Sequence, residues 1–255
     1  MIYGVHLSAQ GVMQQSTQLD VVANNLANAS TTGFKRQLAV FRGHPTHDLS
    51  RGKTGDDPPN WNQHSGGIST SAIATDYSTG PLIATGRDLD VALAGQGFFR
   101  VADAGGQQFL TRDGRMVVNE NLQVVTAGAG HQVLQAGGAP LALPADFQTV
   151  MISAAGEISV RTAAGEDIPV GLLDIVQPQS TDQIEKLGDG IYRFQGPLAP
   201  AGPDVVVKQG HLEGSGTRPM VEMMKMIEST RAIENNINMI KFQDETLSQL
   251  LQMSR

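Results

Sequence analysis

The chain has 255 residues, 5% of them aromatic, with 29 Gly and 12 Pro, so it is long enough for a sizeable core but composed for short strands and turns rather than a thick helical bundle. A net charge of -7 argues against nucleic acid as a partner. The absence of Cys excludes a disulfide scaffold, a thiolate zinc site and a Cys nucleophile. No apolar run reaches the roughly 20 residues of a bilayer span, so no membrane insertion is expected. After Met1 the first Lys or Arg is Lys35. The basic n-region of a cleaved secretion signal is therefore missing, and any export is expected to use another route.

From Tyr3 to about Ala29 the pattern is helical. Val5, Val12, Leu19 and Leu26 recur every seven residues, with Ala9, Val22 and Ala23 filling the same stripe. Thr31-Thr32-Gly33 stops it. Gln14-Gln15-Ser16-Thr17 and Asn24-Asn25 are mediocre helix formers, so the segment is expected to be marginal alone, largely disordered in the monomer, and folded only when packed against the C-terminal helix and neighbouring subunits. From Val40 to about Ser78, Gly52, Gly55, Pro58-Pro59 and Gly66-Gly67 break any long element, which reads as an extended connector. Short apolar runs then follow at 89–93, 97–101, 116–118, 133–134, 149–152, 158–160, 171–176 and 191–194, separated by turn signals such as Asp113-Gly114 and Gly137-Gly138. Strands so closely spaced, with no helical pattern between them, predict an all-β domain.

The C-terminal helix is the clearest periodic signal. Pro219 suits a first turn. Met223, Met226, Thr230, Ile233, Ile237, Ile240, Asp244, Leu247 and Leu251 then alternate in steps of three and four, an a/d seam with polar interruptions at Thr230 and Asp244. Two heptad-like segments at opposite ends of one chain are most economically satisfied by packing on each other. The fold class expected is mixed α and β: terminal helices over 1–35 and 217–255 forming a coiled-coil-like inner domain, an extended connector over 36–80, and an all-β outer domain over 81–216.

Chemistry-bearing constellations are sparse. His44, His47, Asp48 and His64 lie in the Gly/Pro-rich connector without the spacing of a metal site. Asp88 and Asp90 read as a turn and one strand face rather than paired acids. Gly95-Gln96-Gly97 lacks the later glycine and the helix of a phosphate loop. The single Trp, Trp61, sits in the connector, away from any cleft a carbohydrate-active enzyme would need. No catalytic, cofactor or metal residue is assigned, and the chain does not read as an enzyme.

Four blocks carry a family resemblance. Leu19-Asp20-Val21-Val22-Ala23-Asn24-Asn25-Leu26-Ala27-Asn28-Ala29-Ser30-Thr31-Thr32-Gly33-Phe34-Lys35-Arg36 resembles the N-terminal signature of flagellar rod and hook proteins. Thr85 to Phe99 resembles the segment opening that family's β domain, and Leu110-Thr111-Arg112-Asp113-Gly114 the short motif after it. Gln209 to Ser215, followed by Met223 to Leu251, resembles its C-terminal hinge and helix. The run Ser78-Thr79-Gly80-Pro81-Leu82 looks closest to the proximal-rod member, with the distal-rod member second. Three stretches depart from the pattern: Gly216-Thr217-Arg218 stands where an Asn-containing turn is usual, Arg87-Asp88 where Asn-Pro is common, and residues 44–64 match no motif.

The resemblance implies a structural subunit of the basal-body rod, the periplasm-spanning drive shaft, exported by the flagellar type III apparatus without a cleaved signal. The implied partners are other rod and axial proteins and further copies in a helical assembly. Its assembly residues would be Val12, Leu19, Val22, Asn24, Asn25, Leu26 and Asn28 on the first helix, Gly33 and Phe34 at the turn, and Met223, Met226, Ile233, Ile237, Ile240, Leu247 and Leu251 on the second. A buried Asn in such a seam fixes register at some cost in stability; solvated positions near a helix end are the plainer alternative. The crowded Met residues at 220–226 suit either adaptable contacts or simple gap filling. The competing reading is a secreted adhesin or surface-binding module whose helices oligomerise it.

Overall fold

In a computed structural model the described residues are 2–43, 67–163, 165–202 and 204–253. His44, His47, Asp48, Trp61 and His64 lie outside them. The chain divides into two compact units, one of residues 1–27, 36–76 and 218–255, the other of residues 28–35 and 77–217.

In the first unit, α1 (Ile2–Ala27) packs along α2 (Pro219–Met253). α1 has no acidic residue in its first turn and no basic residue in its last, so its ends gain nothing from side chains that complement the helix dipole. Its polar sequence is held by packing, and the partner its marginal propensity requires is supplied within the chain. α2 opens with Pro219 in its first turn as expected, and the backbone N–H groups of Val221 and Glu222 close on Arg218 O at 3.0 and 3.1 Å. β1 (Gln37–Gly43) and β2 (Ile68–Thr75) pair antiparallel, with a bulge between Val40 and Phe41, and both pack on α1. The stretch read as an extended connector over 36–80 therefore gives most of its described residues to a hairpin within the helical unit, and residues 77–80 to the second unit.

The second unit is all β. Its main sheet has nine strands: β5 (Phe98–Ala102), β6 (Gln108–Thr111), β7 (Met116–Val118), β8 (Val124–Thr126), β9 (Gln132–Val133), β13 (Ile175–Pro178), β14 (Ile184–Gly188), β15 (Ile191–Phe194) and β16 (Leu198–Pro200). The path runs β14-β15-β6-β5-β9-β8-β7, with β13 bridging β5 to β16. A three-stranded sheet is built from β10 (Phe147–Ile152), β11 (Glu157–Thr162) and β12 (Asp167–Leu172). Two pairs complete the unit, β4 (Val91–Ala94) with β17 (Val206–Gln209) and β3 (Leu82–Ala84) with β18 (His211–Glu213).

The central strands are buried on both faces. Phe99 and Phe109 join a core with Val101, Met116, Val133 and Leu173, while their neighbours Phe98 and Leu110 point the other way into a second cluster with Val176 and Tyr192. That accounts for the continuous apolar runs where alternation would mark a half-exposed sheet. The run 171–176 is two strands, broken at Leu173-Asp174. Asp174 is buried and accepts from Arg100 Nε at 2.6 Å.

A polar helix seam and a buried ion cluster

The helix pair has one uniform antiparallel register. A Cβ placed on Gly4 would lie 2.9 Å from Gln243 Nε2, and one on Gly11 3.1 Å from Asn236 Nδ2. Asn25 meets Glu222 at 3.4 Å. Advancing seven residues along α1 (4 to 11) retreats seven along α2 (243 to 236), and a further fourteen (11 to 25) retreats fourteen (236 to 222). Glycine at these positions lets the helix axes approach and gives the amide side chains room to lie across the gap.

Along α2 a line of buried or half-buried positions runs Glu222, Met226, Ser229, Ile233, Asn236, Ile240, Gln243 and Leu247, in steps of four and three, with Lys225 and Ala232 half-buried beside it. Half of the expected apolar seam is thus in place at Met226, Ile233, Ile240 and Leu247. The other half is displaced by one residue onto polar side chains. Met223, Ile237 and Leu251 are exposed, as are Met220, Met224 and Ile227. The physical reason is local: Glu222 is only 1% exposed because it has partners. Its Oε1 pairs with Arg36 Nε at 2.7 Å and its Oε2 accepts from Asn25 Nδ2.

On α1, Val22 and Asn25 are buried, Val12, Leu19 and Leu26 half-buried, and Asn24 exposed; Asn28, expected on the helix, lies half-buried in the turn after it. Asn25 works as a surrogate peptide group. Its Nδ2 donates to Gln37 O at 2.8 Å and its Oδ1 accepts from Gln37 N at 2.9 Å, so the strand that follows the turn is fastened to the helix before it. Asn25→Ala strands buried partners, and the urea unfolding free energy is expected to fall by about 1–3 kcal/mol. Asn24→Ala, at an exposed site, is expected to change it by less than about 0.5 kcal/mol.

The second unit holds an ion cluster drawn from three motif blocks. Glu213, on β18, is 2% exposed, Lys35 1% and Arg112 2%. Lys35 Nζ lies 2.5 Å from Glu213 Oε1 and also donates to Ser78 O at 2.8 Å. Arg112 Nη1 lies 3.1 Å from Glu213 Oε2, and its Nη2 donates to Gly95 O at 2.7 Å. Glu213 Oε1 further accepts from Gly80 N at 2.8 Å, and Glu213 O accepts from Gly33 N at 2.8 Å. Burial lowers the Arg112 pKa from its usual value, with Glu213 acting in the opposite sense. Next to it, Asp113 accepts from Thr32 Oγ1 at 2.8 Å and pairs with Arg115.

Gly33 and Phe34 are both buried here. Gly33 adopts φ +67°, and Gly216 N donates to Phe34 O at 2.9 Å. Lys186 Nζ sits 3.5 Å from the centroid of the Phe34 ring and donates to Lys35 O at 3.2 Å. Burial lowers its pKa to about 8. A lysine whose folded pKa lies below the unfolded 10.5 binds fewer protons folded than unfolded between those values, so its contribution to stability rises with pH there. Tyr192, whose pKa burial raises, acts in the opposite sense above pH 10. The parent protein is therefore expected to gain stability relative to Lys186→Met from about pH 8 to pH 10, read as the difference in urea midpoints.

Sequence reasoning singled out Gly33 and Phe34 but passed over Lys35, Arg112 and Glu213, although each lies in a motif block it had quoted. Among the described residues no group of three or more His, Asp or Glu is placed to hold a metal ion, and no helix is long and apolar enough to cross a membrane.

These same segments are the ones that known families share. Residues 6–35 match the family model of the flagella basal body rod protein, residues 92–160 that of the flagellar hook protein FlgE/F/G D1 domain, and residues 208–253 that of the flagellar basal body rod FlgEFG protein C-terminal region. The chain is 35% identical over 240 residues to the flagellar basal-body rod protein FlgF of Caulobacter vibrioides, covering 92% of this chain and 90% of that one. It is 30% identical over 266 residues to the flagellar basal-body rod protein FlgG of Bacillus subtilis, spanning the whole of both. It is 32% identical over 267 residues to FlgF of Escherichia coli, again end to end.

The chain belongs to the flagellar basal-body rod protein family. In this rod-family protein the three matched segments hold the site described above. Asn25, Gly33, Phe34 and Lys35 fall in the first, Arg112 in the second, and Glu213 with most of α2 in the third. The adhesin reading gains no support from these relatives.

Proposed function

We propose that this protein is a structural subunit of the flagellar basal-body rod and that it assembles through its terminal helices. The observation that carries the reading is end-to-end similarity to rod proteins in a chain whose α2 leaves Met220, Met223, Met224, Ile227, Ile237 and Leu251 exposed. Burying one such side chain contributes roughly 1.5–3 kcal/mol. Contact with neighbouring copies and with other rod and axial proteins would therefore offset the cost of ordering polar helices. Heterologous contacts that do not close on themselves make a helical filament.

In this reading α1 and α2 form the coiled-coil-like inner wall. The residues named above as exposed, together with Val12, Leu19, Asn24 and Asn28, meet neighbouring subunits, and the β unit of residues 81–216 faces outward. The assembly transmits torque, and its subunits leave the cytoplasm through the flagellar type III apparatus, with no role in catalysis. The run Ser78 to Leu82 supports a place in the proximal rod.

The test is genetic and structural. In a strain lacking this chain, electron microscopy of basal bodies is expected to show inner-membrane rings without complete rods, restored by the full chain but not by one ending before Met220. Normal flagella in a strain without any second copy of the gene would end the rod reading.

A further inference from the structure

In the three-stranded sheet the order is β10-β11-β12, so β10 and β12 are both edge strands among the described residues. An edge strand offers a row of unpaired N–H and C=O groups to any extended chain that comes near. The two edges are closed in different ways. Along β10 the side chain of Gln209 lies where a further strand would run. Its Oε1 accepts from Ile152 N at 3.1 Å, and its Nε2 donates to Val150 O at 2.6 Å. One side-chain amide thus takes the donor and the acceptor that a peptide group of a neighbouring strand would take. The same nitrogen donates to Asp88 O at 2.9 Å, which pins the side chain in place.

On β12 the last residue is covered, because Leu172 O accepts from Ala136 N at 2.8 Å. Asp167, Ile168 and Pro169 are exposed. The direction of their backbone groups follows from the hairpin before them. Thr162 N donates to Glu166 O at 3.0 Å and Gly165 N to Thr162 O at 2.9 Å, so the ladder opens on a hydrogen-bonded pair. Pairs then alternate along an antiparallel ladder. Arg161 with Asp167 is non-hydrogen-bonded, Val160 with Ile168 hydrogen-bonded, and Ser159 with Pro169 non-hydrogen-bonded. The backbone groups of Asp167 and Pro169 therefore face away from β11, toward the open edge. At Pro169 there is no N–H to offer there. Immediately afterwards the register shifts, with Val170 as the extra residue of a bulge, and a bulge bends the strand and interrupts pairing. Without these devices Ile168 and Leu172, 41% and 40% exposed, would lie along an adhesive edge.

We propose that Gln209 and Pro169 are edge guards, which close the two sides of this sheet against the addition of a strand from a second copy of the chain. The proposal stands on the β unit's own geometry and does not depend on the rod assignment.

The experiment follows amide hydrogen exchange in the full chain by NMR over a wide range of protein concentration. In the parent, exchange at Asp167 is expected to be independent of concentration. Pro169→Thr restores an N–H at an exposed position without adding apolar surface. In that variant exchange at positions 167 and 169 is expected to slow about tenfold or more, saturably, as concentration rises. Gln209→Leu is read in dilute solution. There the Ile152 N–H, left without its acceptor, is expected to exchange about tenfold faster or more, while the Val160 N–H on the central strand is unchanged. Exchange in Pro169→Thr that ignores concentration, or a parent with the same concentration dependence as the variant, would overturn the proposal. So would an Ile152 N–H unmoved by Gln209→Leu. Equal loss of protection at Val160 in that variant would make Gln209 a support of the whole sheet and not a guard of its edge, which overturns the proposal for that residue.

Discussion

Glu213→Gln is expected to lower the unfolding free energy by about 3–5 kcal/mol, the range for breaking a buried ion pair from one side. The substitution keeps the shape of the side chain and removes its charge. Lys35 and Arg112, both buried, are then left with no carboxylate between them, and one of the oxygens that served Lys35 and Gly80 N becomes an amide nitrogen or a weaker acceptor. The measurement is a urea titration with the slope held as a check. A midpoint shift at constant slope is a stability loss, and a changed slope means that the two-state description has failed. Glu185→Gln is the matched control. Its pair with Arg193 is more than 40% exposed on both sides, and such a pair is expected to contribute under about 1 kcal/mol. A loss at Glu213 no larger than that at Glu185 would show that the cluster is not holding the β unit together.

Gly33→Ala is the second large effect, with an expected loss of about 2–5 kcal/mol. Two costs add. The residue sits at φ +67°, where an L side chain is disfavoured, and its Cβ would lie 2.6 Å from the Arg112 carbonyl carbon and 2.9 Å from Asp113 N. Those are backbone atoms and cannot swing aside. Gly86 separates the two costs: it has φ +72° with nothing within 4 Å of a built Cβ. Gly86→Ala should therefore show the conformational cost alone, roughly 1–2 kcal/mol. Equal losses at the two glycines, measured in the same titration, would mean that the close approach to Arg112 does not matter.

The fold was legible wherever burial follows hydrophobicity. The pairing of the terminal helices, Pro219 at the start of α2, and β strands at 91–94, 98–102 and 191–194 all follow from apolar periodicity and turn residues. The helix seam was legible only by half. Met226, Ile233, Ile240 and Leu247 announce themselves, but Glu222, Ser229, Asn236 and Gln243 do not, because an apolar pattern cannot reveal a polar contact line. Met223, Ile237 and Leu251 drew the reading one residue aside. The signal that was present is the spacing of seven between Gly4 and Gly11, which marks a close approach of helices, together with Asn25 fourteen residues on.

The ion cluster was hidden for a related reason. Charged residues are almost never fully buried unless paired, and nothing in the sequence marks Lys35, Arg112 and Glu213 as paired, so their burial left no signal within otherwise informative motifs. Their spacing along the chain, 35 to 112 to 213, gives no hint that they meet. Strands as short as β6 and β8 were likewise missed, being bounded by residues that strands and turns share.

The stitching around Glu213 has a use beyond stability. Pro81 O accepts from Gly214 N at 2.7 Å, so the chain enters and leaves the bulk of the β unit through neighbouring residues. Everything from Leu82 to Glu213 hangs as a bight whose two ends already touch. A bight of that kind can be exchanged for the corresponding piece of a relative with its ends already together, provided the new piece keeps the groups that Gly33, Phe34 and Lys35 meet at positions 112, 186 and 213. This makes residues 82–213 a natural cassette for building chimaeras on unchanged helices.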